Sequence, residues 1–204
     1  MKKPLLIVLI ALLFTNIVTA QISRPLASSN KAKPKASCGK VYIGFGTGIN
    51  YSSGLMGLNV DVPVTGSFSL GTGVGISSWG YKLYGEARYY FSPCNRGWAL
   101  GTGLTLNTGL SSFQSELPTT YGTDLVTLEL HKKLNAFLCG YRFWDMGKRG
   151  HRFHLQLGYS LPLSNDDYTI LSGHTLDSDG VAIMDILSPG GLIFGMGFSF
   201  AIGK

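Results

Sequence analysis

An all-β fold, an eight-stranded antiparallel up-and-down transmembrane β-barrel, is predicted from three observations. From Lys40 onward, apolar residues recur at every second position, the period that places successive side chains on opposite faces of a strand. Eight segments carry that alternation. The two faces also differ in kind, one being bulky hydrocarbon and the other rich in glycine.

The chain opens with Met1-Lys2-Lys3, an apolar run from Leu5 to Phe14, and the small residues Val18-Thr19-Ala20. This is the pattern of a secretory leader over residues 1–20, cleaved before Gln21; its apolar core is short for a membrane helix. Residues 21–39 are rich in Pro, Ser and Ala and hold Arg24, Lys31, Lys33 and Lys35, so they read as a flexible periplasmic tether. The barrel is expected to occupy residues 40–204.

The strand segments run from Val41 to Tyr51, Gly54 to Val64, Ser67 to Ser77, Tyr81 to Phe91, Gly97 to Thr108, Thr127 to Trp144, His151 to Leu161 and Gly190 to Ile202. On one parity lie residues such as Ile43, Phe45, Leu58, Val74, Leu104, Leu157 and Phe198. The other parity offers Gly44, Gly46, Asn59, Asp61, Gly71, Gly73, Gly101, Gly103, Gly195 and Gly197. A strand face of glycine makes a poor aqueous surface, because it packs against nothing. In a narrow membrane barrel small residues suit the crowded lumen and bulky ones face lipid. Lipid cannot satisfy an open sheet edge, which requires closure. A barrel of eight strands has an interior that side chains fill, so no open pore is expected.

Composition agrees: 45% of the residues are hydrophobic, 14% are charged, and 28 of 204 are glycine with no collagen period. Beyond the leader no run reaches the roughly 18 apolar residues of a membrane helix. Without Lys2 and Lys3 the balance is 15 basic against 11 acidic residues, with much of the excess in the tether. That distribution, together with export, argues against nucleic acid as a partner.

The links after the second, fourth and sixth strands are short (Val64 to Gly66, Ser92 to Arg96, Asp145 to Gly150), whereas those after the fifth and seventh run from about Gly109 to Val126 and from Pro162 to Pro189. Bacterial barrels put short turns at the periplasm and longer loops outside. The lipid-facing residues nearest the short turns are Phe68, Phe91, Trp98, Trp144, Phe153 and Phe200, as an aromatic girdle at the periplasmic interface requires. Arg142 lies beside Trp144, within reach of head groups. Lys132 falls beyond the opposite interface.

With leader, eight alternating strands, short turns and the final segment Phe198-Ser199-Phe200-Ala201-Ile202-Gly203-Lys204, the chain resembles the small eight-stranded outer-membrane proteins of the OmpA/OmpX type over roughly Lys40 to Lys204. The segment Gly85-Glu86-Ala87-Arg88-Tyr89-Tyr90-Phe91 adds to the likeness. The terminal Phe usual in such barrels is replaced by Ile202-Gly203-Lys204. The resemblance implies a porin-like Gram-negative cell-envelope protein in the bacterial outer membrane. Its implied partners are membrane lipids, lipopolysaccharide and, during insertion, the barrel-assembly machinery. A monomer with no cofactor and no metal is expected.

Asp61, Glu86, Arg88, Glu129, His131, Lys133, Arg152 and His154 share the lumen parity and are expected to pair into an ionic network, since a lone desolvated charge costs several kcal/mol. A structural plug is the favoured reading; a proton or ligand path is the other. No catalytic residue is assigned. The enzyme alternative, a lipid A-modifying barrel, would use His131 or His174 as general base with Ser164 or Asp166. A secreted soluble lipocalin-like barrel is a third reading. The loop carboxylates Asp166, Asp167, Asp177, Asp179 and Asp185 include Asp177-Ser178-Asp179-Gly180, but Ser188 stands where a calcium loop needs Glu, so this reads as a turn. Of the three cysteines, Cys38 and Cys94 are assigned to the same side and are expected to pair, with Cys139 left free in the lumen.

Overall fold

The computed structural model describes residues 40–147, 149–164, 167–173 and 175–202. Eight strands close into a barrel: β1 (Val41–Ile49), β2 (Met56–Pro63), β3 (Phe68–Ser77), β4 (Gly80–Ser92), β5 (Arg96–Asn107), β8 (Lys133–Met146), β9 (His151–Pro162) and β11 (Gly191–Ile202). Between them in the chain lie β6 (Leu110–Thr119), β7 (Gly122–Leu130), β10 (Tyr168–Ile170) and helix α1 (Ser178–Leu187). Each barrel strand pairs antiparallel with its neighbours, and β1 closes the ring by pairing with both β2 and β11. Closure leaves no ladder edge in the barrel.

The alternation becomes an inside and an outside. Leu58, Ile76, Trp98, Leu104, Leu157 and Leu192 stand on the outer face, with Leu157 65% exposed. The inner face is buried and carries Tyr84, Tyr90, Phe137, Tyr141 and Phe143 beside charged and amide side chains. Register explains how so narrow an interior holds them, because large residues face glycines on the next strand. Glu86 is flanked by Gly71 and Gly103, Arg88 by Gly101, Phe137 by Gly103, Tyr84 by Gly73 and His154 by Gly197. A β-carbon at Gly103 would come within 2.9 Å of the Glu86 Cβ, so the row of small residues is what admits the row of large ones.

Two expectations need correction. The sixth strand, read as running unbroken from Thr127 to Trp144, is two strands: β7 leaves the barrel wall, the chain breaks at His131-Lys132, and β8 enters it. The two long links are also not plain loops. They supply a second, three-stranded sheet in the order β10-β7-β6, and α1 completes it. This cap has its own core of Leu117, Val126, Leu128, Leu130, Leu176 and Met184, joined by Trp79 from the β3–β4 turn. The cap therefore sits over the barrel end where β1–β2, β3–β4, β5–β8 and β9–β11 connect. The opposite end has the short turns. In one of them Cys94 and Asn95 take φ of 64° and 58°, the paired left-handed conformation that closes a tight hairpin.

Candidate functional site

The densest polar chemistry lies in the lumen toward the short-turn end. Strand parity brings Asp61 from β2, Glu86, Arg88 and Tyr90 from β4, Tyr141 from β8 and Arg152 from β9 into one buried group. One oxygen, Asp61 Oδ2, accepts from Arg88 Nη1 at 3.0 Å, Arg152 Nη2 at 2.7 Å and the Tyr90 hydroxyl at 3.0 Å. Arg88 also pairs with Glu86, whose second oxygen accepts from the Tyr141 hydroxyl at 2.6 Å. Arg152 reaches the Asn95 carbonyl of the β4–β5 turn at 3.0 Å, so the cluster is tied to the wall at that end. Two carboxylates and two guanidiniums balance.

Aromatic faces flank both guanidiniums. The Arg152 guanidinium lies 3.3 Å from the Tyr42 ring centroid and 4.9 Å from that of Phe143, and Arg88 lies 4.3 Å from Tyr141. Above this layer the β1–β2 connection folds inward, burying Tyr51, Ser52 and Ser53. The Tyr51 hydroxyl is 2.8 Å from His154 Nε2, and Ser52 donates to Gln156 at 3.2 Å. A β-carbon at Gly46 or Gly195 would collide with the Tyr51 ring, so these glycines provide its seat. Buried side chains occupy the axis at this level.

Of the eight residues expected in the lumen network, Asp61, Glu86, Arg88 and Arg152 form the ionic group, and His154 adjoins it through ring contacts with Tyr141 and Phe143 while its Nε2 engages Tyr51. Lys133 is buried at the cap end instead, where it pairs with Asp167, donates to Ser188 Oγ at 2.6 Å and lies 5.9 Å from the Trp79 ring. Glu129 and His131 are not lumen residues. They belong to the cap, because β7 has left the wall: Glu129 stands opposite Thr169 of β10, and His131 Nε2 lies 3.0 Å from Thr169 Oγ1. The remaining participants, Tyr51, Tyr90, Tyr141 and Asn95, went unpredicted. Tyr90 and Tyr141 share the parity of Arg88 and Cys139 and were open to the same reasoning, whereas nothing local marks Tyr51 as an inward-folding loop residue.

The aromatic residues Phe68, Phe91, Trp98, Trp144, Phe153 and Phe200 all lie within the strands near their short-turn ends, and Trp144 packs on Phe153 with centroids 5.7 Å apart. Among the enzyme candidates, the Ser164 hydroxyl accepts from the Leu134 amide at 3.3 Å, while His131 engages Thr169. Asp166 and His174 lie outside the described residues, as does Cys38. Cys139 is free and buried in the lumen, where Gln156 donates to its sulfur at 2.9 Å.

Asp177-Ser178-Asp179-Gly180, expected to be a turn, is the start of α1. The Asp177 side chain accepts from the Gly180 amide at 2.8 Å, a helix N-cap, with Asp179 in the first turn. In the cap, burial, reinforced by the carboxylates of Asp185 and Asp167, holds the Tyr168 phenol above its ordinary range, so it remains a neutral hydroxyl. Among the described residues no group of three or more His, Cys, Asp or Glu could hold a metal ion, and no helix is long and apolar enough to cross a membrane. No family model, curated protein or solved structure matches this chain.

Proposed function

We propose that the chain is a monomeric barrel of the bacterial outer membrane, without an open pore, that serves a structural or surface-interaction role and presents its capped end to the outside. The observation that carries this reading is the inverted distribution of polarity. The ion pairs of Asp61, Glu86, Arg88 and Arg152 and the hydrogen-bonded amides are inside, and the outer wall is a belt of Leu, Ile, Val, Phe and Met. Soluble monomers rarely expose contiguous apolar patches beyond a few hundred Å², whereas a bilayer requires such a surface.

Closure supports the same reading, since a hydrocarbon environment leaves no partner for an unpaired strand edge. A secreted barrel for apolar ligands would carry the reverse arrangement, with hydrocarbon lining a chamber. Here the lumen is packed with charge and aromatic rings. The barrel's partners are the membrane lipids and lipopolysaccharide around the wall and, during insertion, the assembly machinery.

The test is fractionation of cells expressing the full chain, with surface protease applied to intact cells. The expected result is recovery in the detergent-extracted envelope, faster migration on gels before heating than after, and cleavage within the cap. Recovery as a freely soluble secreted protein would overturn the proposal.

A further inference from the structure

On the outward faces of the eight barrel strands, one charged side chain stands apart from a strand's terminal position among the described residues: Arg142 of β8. It lies between two indoles, with its guanidinium carbon 5.3 Å from the Trp98 ring centroid and 5.6 Å from that of Trp144. Among the described residues no carboxylate pairs with it. Asp145, three residues along the same strand, is held by Arg96 at 2.8 Å.

A groove of about 330 Å³ runs from this guanidinium along the wall, lined by Trp98, Trp144, Gly140, Leu155, Leu157 and Phe194. Its floor is Gly140, where an added β-carbon would meet nothing closer than the Leu157 carbonyl at 3.8 Å. The volume falls within the roughly 300–1,000 Å³ of ligand sites. The site thus has one cationic end at the level of the aromatic girdle and one apolar trough leading from it.

We propose that this surface is a binding site for one diacyl phospholipid, its phosphate on Arg142 and an acyl chain in the trough over Gly140; the inference rests on the membrane reading above. The chemistry is complementary at both ends. A planar guanidinium presents a fork of donors that matches two phosphate oxygens, and the flanking indoles fix its orientation before the lipid arrives. Trp is favoured at the head-group level, which is where the phosphate of an inner-leaflet lipid lies. The hydrocarbon below it meets Leu155, Leu157 and Phe194 without a side chain at position 140 in the way.

The experiment is titration of phosphatidylglycerol into the full chain, extracted from the envelope and held folded in mild detergent, with bound lipid counted by native mass spectrometry. The expected result is one retained lipid per barrel, at least ten-fold weaker binding in Arg142→Gln, a comparable loss in Gly140→Leu, and wild-type binding in Arg96→Gln. Gel migration before and after heating identifies folded protein for each variant, and Gly140→Leu decides the matter if Arg142→Gln does not fold. Absence of a retained lipid on the wild type, or equal binding by Gly140→Leu and the wild type, would overturn the site. Neither result would touch the membrane reading, which fails separately if the wild-type chain is not recovered with the envelope.

Discussion

Replacing Asp61 by Asn keeps the shape of the side chain and removes the negative charge that two guanidiniums share. Arg88 retains Glu86, but Arg152 is left with the Tyr90 hydroxyl at 3.4 Å and the Asn95 carbonyl at 3.0 Å. Its side chain is 1% exposed, so solvent does little to screen the stranded charge. Removing one member of a buried ion pair costs about 3–5 kcal/mol. With a urea dependence of about 2 kcal/mol per molar, the unfolding midpoint should fall by about 2 M. The assay is equilibrium unfolding by urea of the barrel folded in lipid vesicles, followed by tryptophan fluorescence. Combining Asp61→Asn with Arg152→Met should recover at least half of the loss, because the second change takes away the uncompensated charge. A single variant within about 1 kcal/mol of wild type, or a double variant no more stable than the single one, would refute the view of the cluster as a coupled ionic plug.

Other outcomes follow from the same structure. Trp79→Ala empties the centre of the cap core, where the indole is fully buried and donates to the His131 carbonyl at 2.9 Å; the cap should lose about 3–5 kcal/mol and be cut by protease around Tyr121 faster than the wild-type cap, while gel migration still identifies a folded barrel. In planar bilayers the wild-type chain should pass no steady current, because Tyr51, Tyr84, Tyr141 and the ionic group fill the axis, and a sustained single-channel current would contradict the filled lumen. Thiol counting on the denatured chain should find one reactive thiol without reductant and three with it, as the Cys38–Cys94 pairing expects with Cys139 free; equal counts would contradict the pairing.

Much of the barrel was legible in the sequence because a two-residue period is a direct statement about faces. Glu86, Arg88 and Tyr90 alternate with Ala87, Tyr89 and Phe91, and no other geometry separates the sets so cleanly. The cap was not legible for a related reason. Val126, Leu128 and Leu130 share their parity with Leu134, Ala136 and Leu138, so the alternation passes through the break unchanged. Yet the first three are buried in the cap core, and Leu134 and Leu138 are exposed on the wall. Lys132, the charge that falls between the two sets, marks the break. Glu129 and His131 were misplaced by the same continuity.

The start of α1 illustrates another limit. An Asp with small and acidic residues after it serves equally in a turn, an ion loop or a helix cap, and the choice depends on whether the next ten residues find a surface to pack on. Met184 finds it in the cap core. Tyr51 shows the same dependence on distant residues, since its seat is made by Gly46 and by Gly195, which lies in the last strand.

The orientation of the wall is tested most directly by a spin label placed at Leu157, in the middle of β9 and 65% exposed on the outer face, with Cys139 changed to Ala and the protein reconstituted in liposomes. The label should be readily relaxed by oxygen, which concentrates in the acyl chains, and poorly by a water-soluble nickel chelate. A label at Leu157 that is rigidly held and shielded from oxygen, or one relaxed mainly by the chelate, would contradict a hydrocarbon-facing wall.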